Sequence, residues 1–438
     1  MAKNRKAPSL VHGASLIAGI VLVVQIAATF FCTNSRRFSV QAYLMNWSIA
    51  ASVYFAWRLR QLWWLLVPVV LKALFALLYV RCGNVQPYIT TEYLYSDYFE
   101  NITSDSKCCT FYTEGDYTGV APVNTRDPGP ANEQQVLRWG MDQYARANTG
   151  HAHMLDKGTM DRAQQNKFAW IVRTLRINSD SRVLELGFGK TDLMRYIRDT
   201  TGATVEGTNL SSAQLAEARA QGFRCHEISH NDLHKHTAEL GQYDVIIANG
   251  TTEYLVQAGQ RDGPVYDAFV GAIQRLLRPG GLWYTTTIHI NRTDAGRGSL
   301  VVDYLRNGRS LKDFYNLYML AVGNEGSYPA QPDGMTKYAR RHGLRTVLQQ
   351  DRTLDYLCYS VNWMACQLHA RHRRSAMAHI KSAVKHLMCW IAAPNYLESY
   401  ACYTAVKDPT MLPWLWQFVR QPNGFRPATH NWIVFAKE

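Results

Sequence analysis

Residues 182–214, RVLELGFGKTDLMRYIRDTTGATVEGTNLSSAQ, constrain the fold more than any other stretch. Val183-Leu184-Glu185-Leu186 is a mostly apolar run of strand length. It breaks at Gly187-Phe188-Gly189 and gives way to the helix-like TDLMRYIRDT. Strand, glycine turn and helix in that order point to an α/β sheet. Glycine lets the backbone approach a ligand closely, and the helix that follows presents free N–H groups and a positive dipole end at the same place. Such a turn holds a nucleotide-like cofactor, although an ordinary tight turn of an α/β protein also carries GxG.

The next residues narrow the choice. Residues 203–207 read as a second strand leading into Thr208-Asn209-Leu210-Ser211-Ser212-Ala213-Gln214. A dinucleotide-binding turn wants G-x-G-x-x-G and an acid at the end of the second strand. Here Asp192 takes the place of the third glycine and Asn209 stands at the strand end, which argues against NAD. Residues 211–222 form a helix opened by a serine cap. A third strand at 224–229 leads into His230-Asn231-Asp232, and YDVIIAN, 243–249, has the near-continuous apolar run of a strand buried on both faces. A helix at 269–279, a Gly280-Gly281 turn and a fifth strand at 282–288 follow, and 433–437 reads as the antiparallel edge strand that closes the sheet.

Taken together, ELGFG, GTNLSSAQ, YDVIIANGTTEYL and RLLRPGGLWYTTTI resemble a class I S-adenosylmethionine methyltransferase. Within that class the chain is similar to the cyclopropane fatty acid synthase and mycolic acid cyclopropane synthase branch, with its sphingolipid-methylating relatives. The GxTLSxxQ-like segment and the helix MDRAQQNK carry the branch-level likeness, which covers roughly residues 93–438. It implies a Rossmann-like seven-stranded α/β sheet with a helical lid, and S-adenosylmethionine as cofactor. The implied cofactor residues are Glu185, Gly187 and Gly189 at the turn, Asn209, Leu210 and Gln214 after the second strand, Asn231 or Asp232 at the adenine amine, and Gln164 from the overlying helix.

The same resemblance implies an active-site bicarbonate. Its cysteine follows a Y-D-x-x-x-x-F-F run, and Cys109 matches that position with a two-residue gap. Glu253 carries over from the family's F-E-H segment, with Tyr254 in place of the histidine. The family's L-L-H-T-I supplies a His and an Ile, which are Thr286 and Ile288 here, and Tyr356 falls on the bicarbonate-binding tyrosine. The losses of histidine at 286 and of a third glycine at 191 are the main departures.

The front of the chain has a different composition. After a short basic leader, residues 13–32 run without a charge for long enough to cross a bilayer. Residues 39–57 are uncharged but spotted with polar residues, and 61–80 are strongly apolar, interrupted by Pro68 and Lys72. The expected organisation is a membrane anchor of two or three hydrophobic helices at 1–84, an aromatic-rich lid and linker at 85–150, and the methyltransferase domain at 151–438, facing the cytosol where S-adenosylmethionine is found. An excess of Lys and Arg over Asp and Glu, 47 to 34, suits an anionic membrane surface. No nucleic-acid motif is present. Nine cysteines without a CxxC pair read as free thiols.

The expected reaction is methylation of a double bond in an unsaturated phospholipid or sphingolipid chain, giving a cyclopropane or a methyl branch through a carbocation. Two alternatives stay open: a membrane methyltransferase acting on the N or O of a lipid head group, and a non-catalytic membrane-anchored module with a degenerate cofactor site.

Overall fold

The computed structural model describes residues 113–148, 157–252, 262–291, 333–372 and 428–438, with 418–420, a few isolated neighbours and scattered positions between 51 and 70. Cys109 and Glu253 lie outside the described residues, as do 13–32 and most of 39–57 and 61–80. Among the described residues no helix is long and apolar enough to cross a membrane.

Helices α1 (Pro130–Asn148) and α2 (Lys157–Thr174) precede a regular alternation: β1 (Arg182–Leu186), α3 (Asp192–Thr201), β2 (Thr204–Asn209), α4 (Ser212–Ala220) and β3 (Arg224–Glu227). A 3-10 turn at His230–Lys235 and the short α5 (Thr237–Leu240) lead to β4 (Tyr243–Ala248), α6 (Asp262–Leu276) and β5 (Leu277–Ile290). Then come α7 (Thr336–Arg341), β6 (Leu344–Asp351), α8 (Thr353–His372) and β7 (Ala428–Lys437). The sheet has seven strands in the order β3-β2-β1-β4-β5-β7-β6, parallel except for β7, which runs antiparallel to both β5 and β6. This is the class I methyltransferase-like order, and it reverses between β1 and β4, where α/β sheets open a crevice for ligands at their carboxyl ends.

Alternation along the strands sorts the core into two layers. Val183, Val205, Val245, Tyr284 and Trp432 face Ile171 of α2, Leu193 of α3 and Ala218 of α4. Leu184, Ile246, Trp283, Ile433 and Phe435 face Phe269 and Ile273 of α6 and Tyr338 of α7. Trp283 is fully buried and stacks on Phe435 at 4.8 Å. In β5 the register on β4 jumps from Tyr243↔Leu277 to Val245↔Leu282, so Pro279-Gly280-Gly281 is absorbed as a bulge rather than forming a turn ahead of the strand.

Two sequence expectations are corrected. Residues 130–148 are not linker but a helix that opens with Pro130 and packs on α8 so closely that a Cβ on Gly140 would sit 2.6 Å from Val361. Its polar surface hid it: Glu133, which looks solvent-facing in the sequence, is buried and paired with Arg426. The C-terminal strand is not the edge of the sheet. β7 is buried on both faces between β5 and β6, and β6, largely exposed along 345–347, is the edge.

Candidate functional site

The turn after β1 has the predicted construction. Gly187 adopts φ +71°, and its N–H donates to the Thr208 carbonyl at 2.8 Å, tying the ends of β1 and β2 together. A Cβ there would lie 2.3 Å from Thr251 Cγ2 and 3.2 Å from the His230 ring, so the position excludes side chains on steric as well as conformational grounds. Thr191, where a third glycine is common, holds φ +64° all the same. That conformation is costly for a β-branched residue. Its hydroxyl lies 3.0 Å from Gln221 Oε1, a hydrogen bond that helps to offset the strain. The glycine geometry therefore survives the substitution.

Around this turn lies a set of buried acceptors. Glu185 Oε2, Asn231 Oδ1, Asn249 Oδ1, Thr251 Oγ1 and Gln164 Oε1 are all buried without a hydrogen-bond partner. They converge from separate parts of the chain. Glu185, one residue before the end of β1, pairs with Ile247 of β4, and Thr251 abuts Gly187. Gln164 donates its amide to the Thr113 carbonyl, while the Asn249 amide reaches the Thr113 hydroxyl at 3.4 Å. Burial pushes the Glu185 carboxyl up to about 8, with Asp192 repelling the charge further and Lys167 pulling the other way. Burial also lowers His230 to about 4, so its imidazole is neutral beside the turn. Orphaned buried acceptors are rare in native proteins and mark a missing partner. The partner that fits here is rich in donors and positively charged, as S-adenosylmethionine is.

The other cofactor candidates divide by role. Asn209 accepts from the N–H groups of Leu210 and Ser211 and donates to Gln214 Oε1 at 2.7 Å. Together with the Ser211 cap this shapes the loop after β2: the Asn209 oxygen is taken by backbone N–H groups and the Gln214 oxygen by the Asn209 amide. Leu210 is half-buried at its rim and Gly189 takes φ +56°. Asp232 pairs with Lys235 at 2.6 Å with its side chain 44% exposed, whereas the neighbouring Asn231 oxygen is buried and unmatched. Of the two residues the sequence left open, Asn231 is placed to accept a hydrogen bond.

A second cluster adjoins the first. Thr286 is fully buried on β5; its hydroxyl accepts from the Gly250 N–H at 2.7 Å and its carbonyl from the Thr252 hydroxyl at 2.9 Å. It thereby anchors the loop leading to position 253. Across the same loop Thr113, four residues beyond position 109, would be touched by a Cβ on Gly250 at 2.7 Å. The chain flanking Cys109 and the chain flanking Glu253 thus meet beside Thr286. Ile288 lies directly opposite His430 of β7, and Tyr356 of α8 stacks on His430 with centroids 4.6 Å apart.

A buried ion network fastens residues 113–118 over this cluster. Glu114 accepts from Lys167 Nζ at 2.6 Å and Trp432 Nε1 at 2.7 Å; Arg352 binds Asp116 at 2.5 Å and Asp355 at 2.7 Å. Burial raises Asp355 to about 7 against the pull of Arg352. Sequence reasoning missed Asn249, Thr251, His230, Glu114 and His430. For Asn249 and His230 the signal was available, since Asn249 immediately follows β4 and His230 opens the turn three residues after β3, both on the crevice side.

Comparison with known proteins follows the same line. The family profile described as mycolic acid cyclopropane synthetase matches residues 142–383, more than half of the chain. A cyclopropane-fatty-acyl-phospholipid synthase of Escherichia coli (strain K12) is 28% identical over 145 residues, covering 33% of this chain and 35% of that protein. A probable fatty acid methyltransferase of Mycobacterium tuberculosis is 28% identical over 156 residues, 34% of each. The matched segment thus spans about a third of the length of these curated relatives. Among solved structures, a mycolic acid cyclopropane synthase in its apo form aligns with TM-score 0.48 and 15% identity, over 78% of this chain and 99% of that one.

Proposed function

Because the chain belongs to the mycolic acid cyclopropane synthetase family, a branch of the S-adenosylmethionine-dependent methyltransferases, we propose that it methylates a double bond in a lipid chain. The observation that carries the reading is the set of buried, partnerless oxygens on residues about the Gly187 turn. When bound there, S-adenosylmethionine supplies an electrophilic methyl group on a sulfonium. Glu185 is the counter-charge for the cofactor's cationic part, Asn231 takes the adenine amine, and Gln164, Asn249 and Thr251 accept from its remaining donors. Gly187 and Gly189 admit the ligand to the backbone, while Asn209, Leu210 and Gln214 shape the wall beside it.

The substrate is an unsaturated acyl or sphingoid chain, carried by a phospholipid or sphingolipid. The names of the curated relatives, which refer to fatty-acyl phospholipid and fatty acid, support that class. An anchor in the first 84 residues would deliver the chain from the bilayer with the catalytic domain on the cytosolic side; the uncharged run at 13–32 supports it. The product is a cyclopropane or a methyl branch.

Bicarbonate, which the family resemblance implies, is not well provided for by the described part of its cradle. The Thr286 hydroxyl, which accepts the Gly250 N–H, has only its own O–H to offer an anion in place of the family's imidazole and cannot take up a proton, and Ile288 brings only an apolar side chain. No proton route is therefore drawn through it.

Mass spectrometry of lipids from cells expressing the protein tests the proposal. Unsaturated chains should gain the mass of one CH2 unit, and an unchanged lipid profile alongside abundant protein would sink it.

A further inference from the structure

We propose that His430 is the proton acceptor of this site, a role that Thr286 on the neighbouring strand cannot fill. The inference rests on the alkene-methylating reading above. His430 is 1% exposed and stands across the β5–β7 ladder from Ile288, so its side chain shares a face with Thr286 and Ile288. The Tyr356 ring lies 4.6 Å away and within 24° of parallel, which fixes the imidazole plane. Nε2 faces Glu114 Oε2 at 3.6 Å.

Glu114 is an anion. Burial raises it, but His430 when protonated, the Lys167 charge, and the hydrogen bonds from Lys167 and Trp432 hold it below the usual carboxylate range; with His430 neutral, Lys167 and Trp432 still do so. At 3.6 Å the carboxylate is in ion-pair rather than hydrogen-bond contact with Nε2, and its charge favours the tautomer protonated there, with the lone pair on Nδ1. Nδ1 is buried and has no hydrogen-bond partner. A histidine serving only as core packing would have that nitrogen satisfied. Burial keeps the ring neutral, at about 4, which is the form able to accept.

The step balances without another reactant. Methyl transfer to the alkene leaves a carbocation on the chain. A C–H bond of the added methyl breaks, its electron pair forms the C–C bond that closes a three-membered ring, and the proton passes to Nδ1. Glu114 balances the resulting imidazolium, which returns the proton to solvent between turnovers. Loss of a proton from an adjacent carbon instead gives a methyl-branched alkene by the same transfer.

The test uses the full chain with methyl-labelled S-adenosylmethionine and vesicles of oleoyl-chain phosphatidylglycerol and phosphatidylethanolamine, in carbonate-free buffer. Wild-type protein should label lipid at a rate that added bicarbonate changes less than about twofold. His430→Gln should bind S-adenosylmethionine within roughly threefold of wild type yet lose on the order of 100-fold in turnover. His430→Ala should regain about tenfold on addition of imidazole. Lipid labelling by His430→Gln at near wild-type rate overturns the assignment. So does wild-type turnover that collapses without bicarbonate and returns with it, a readout that depends on no variant folding. Wild-type protein that binds the cofactor but labels no lipid instead overturns the functional reading on which the assignment rests.

Discussion

At the N-terminal ends of β1, β2 and β4, Arg182 donates to Glu206 at 2.8 Å and to the carbonyls of Gln242 and Leu240, while Tyr243 and His226 complete the glutamate's partners. At the C-terminal ends of β1 and β4, Glu185, Asn249 and Thr251 each carry a buried oxygen with no partner. The two glutamates are on neighbouring strands and both nearly inaccessible, at 3% and 4% exposure. Yet they shift in opposite directions. Burial raises both, but hydrogen bonds from Arg182 and His226 bring Glu206 below its ordinary value, while Glu185 has no such donor and rises to about 8. One end of the sheet is finished as structure and the other is unfinished without a ligand.

Disrupting the finished end should cost fold and spare binding. Arg182→Met removes the two shortest bonds to the buried Glu206 carboxylate and leaves it Tyr243 and His226, so it should lower unfolding free energy by about 2–3 kcal/mol in urea titrations. S-adenosylmethionine affinity in the folded fraction should stay within about twofold of wild type. Disrupting the unfinished end should do the reverse. Gly187→Ala puts a methyl 2.3 Å from Thr251. The expected result by calorimetry is a cofactor affinity loss of roughly 30-fold, about 2 kcal/mol. Stability should fall by a smaller amount, about 1–2 kcal/mol for the left-handed backbone.

Smaller effects sharpen the same contrast. Asn231→Ala should weaken cofactor binding about tenfold, the worth of one buried hydrogen bond. Asp232→Ala, at the exposed Lys235 pair, should leave binding within about twofold. Equal losses for the two would show that the adenine contact has been misassigned. Thr191→Gly relieves a strained φ but gives up the Gln221 bond, terms of about 1 kcal/mol each, so its melting temperature should move by only a few degrees.

Local signals made the centre of this molecule legible. The apolar run, glycine break and helix of 182–201, and the Ser211 cap with its bond from the Gln214 N–H, depend on residues close in sequence. What was not legible depends on distant partners. The helix at 130–148 is stabilised by Glu133 reaching Arg426 and by Gly140 against Val361, contacts that no composition reveals. β6 exposes most of 345–347, as an edge strand does, and so lacks the apolar run that marked β4. Likewise, the site's glycines are read directly, whereas Glu114, Lys167 and His430 come together only because β7 returns between β5 and β6.

The pH behaviour of Glu185 links the comparison to function. Its folded-state value is raised from 4.5 to about 8, so the ligand-free fold holds a proton that the unfolded chain releases above 4.5. The contribution to stability is therefore present at low pH and lost as pH rises through that interval. Glu185→Gln removes the loss, and its melting temperature should exceed that of wild type increasingly between pH 5 and pH 8.

Calorimetric titration of S-adenosylmethionine at pH 7, in buffers of different ionisation heat, tests the central claim most directly. Wild-type protein should bind with release of close to one proton as Glu185 ionises against the cationic ligand, and Glu185→Gln should bind at least about tenfold more weakly with no proton released. Binding by Glu185→Gln as tight as wild type, or no binding by wild type at all, would contradict the assignment of the unfinished end as the cofactor site.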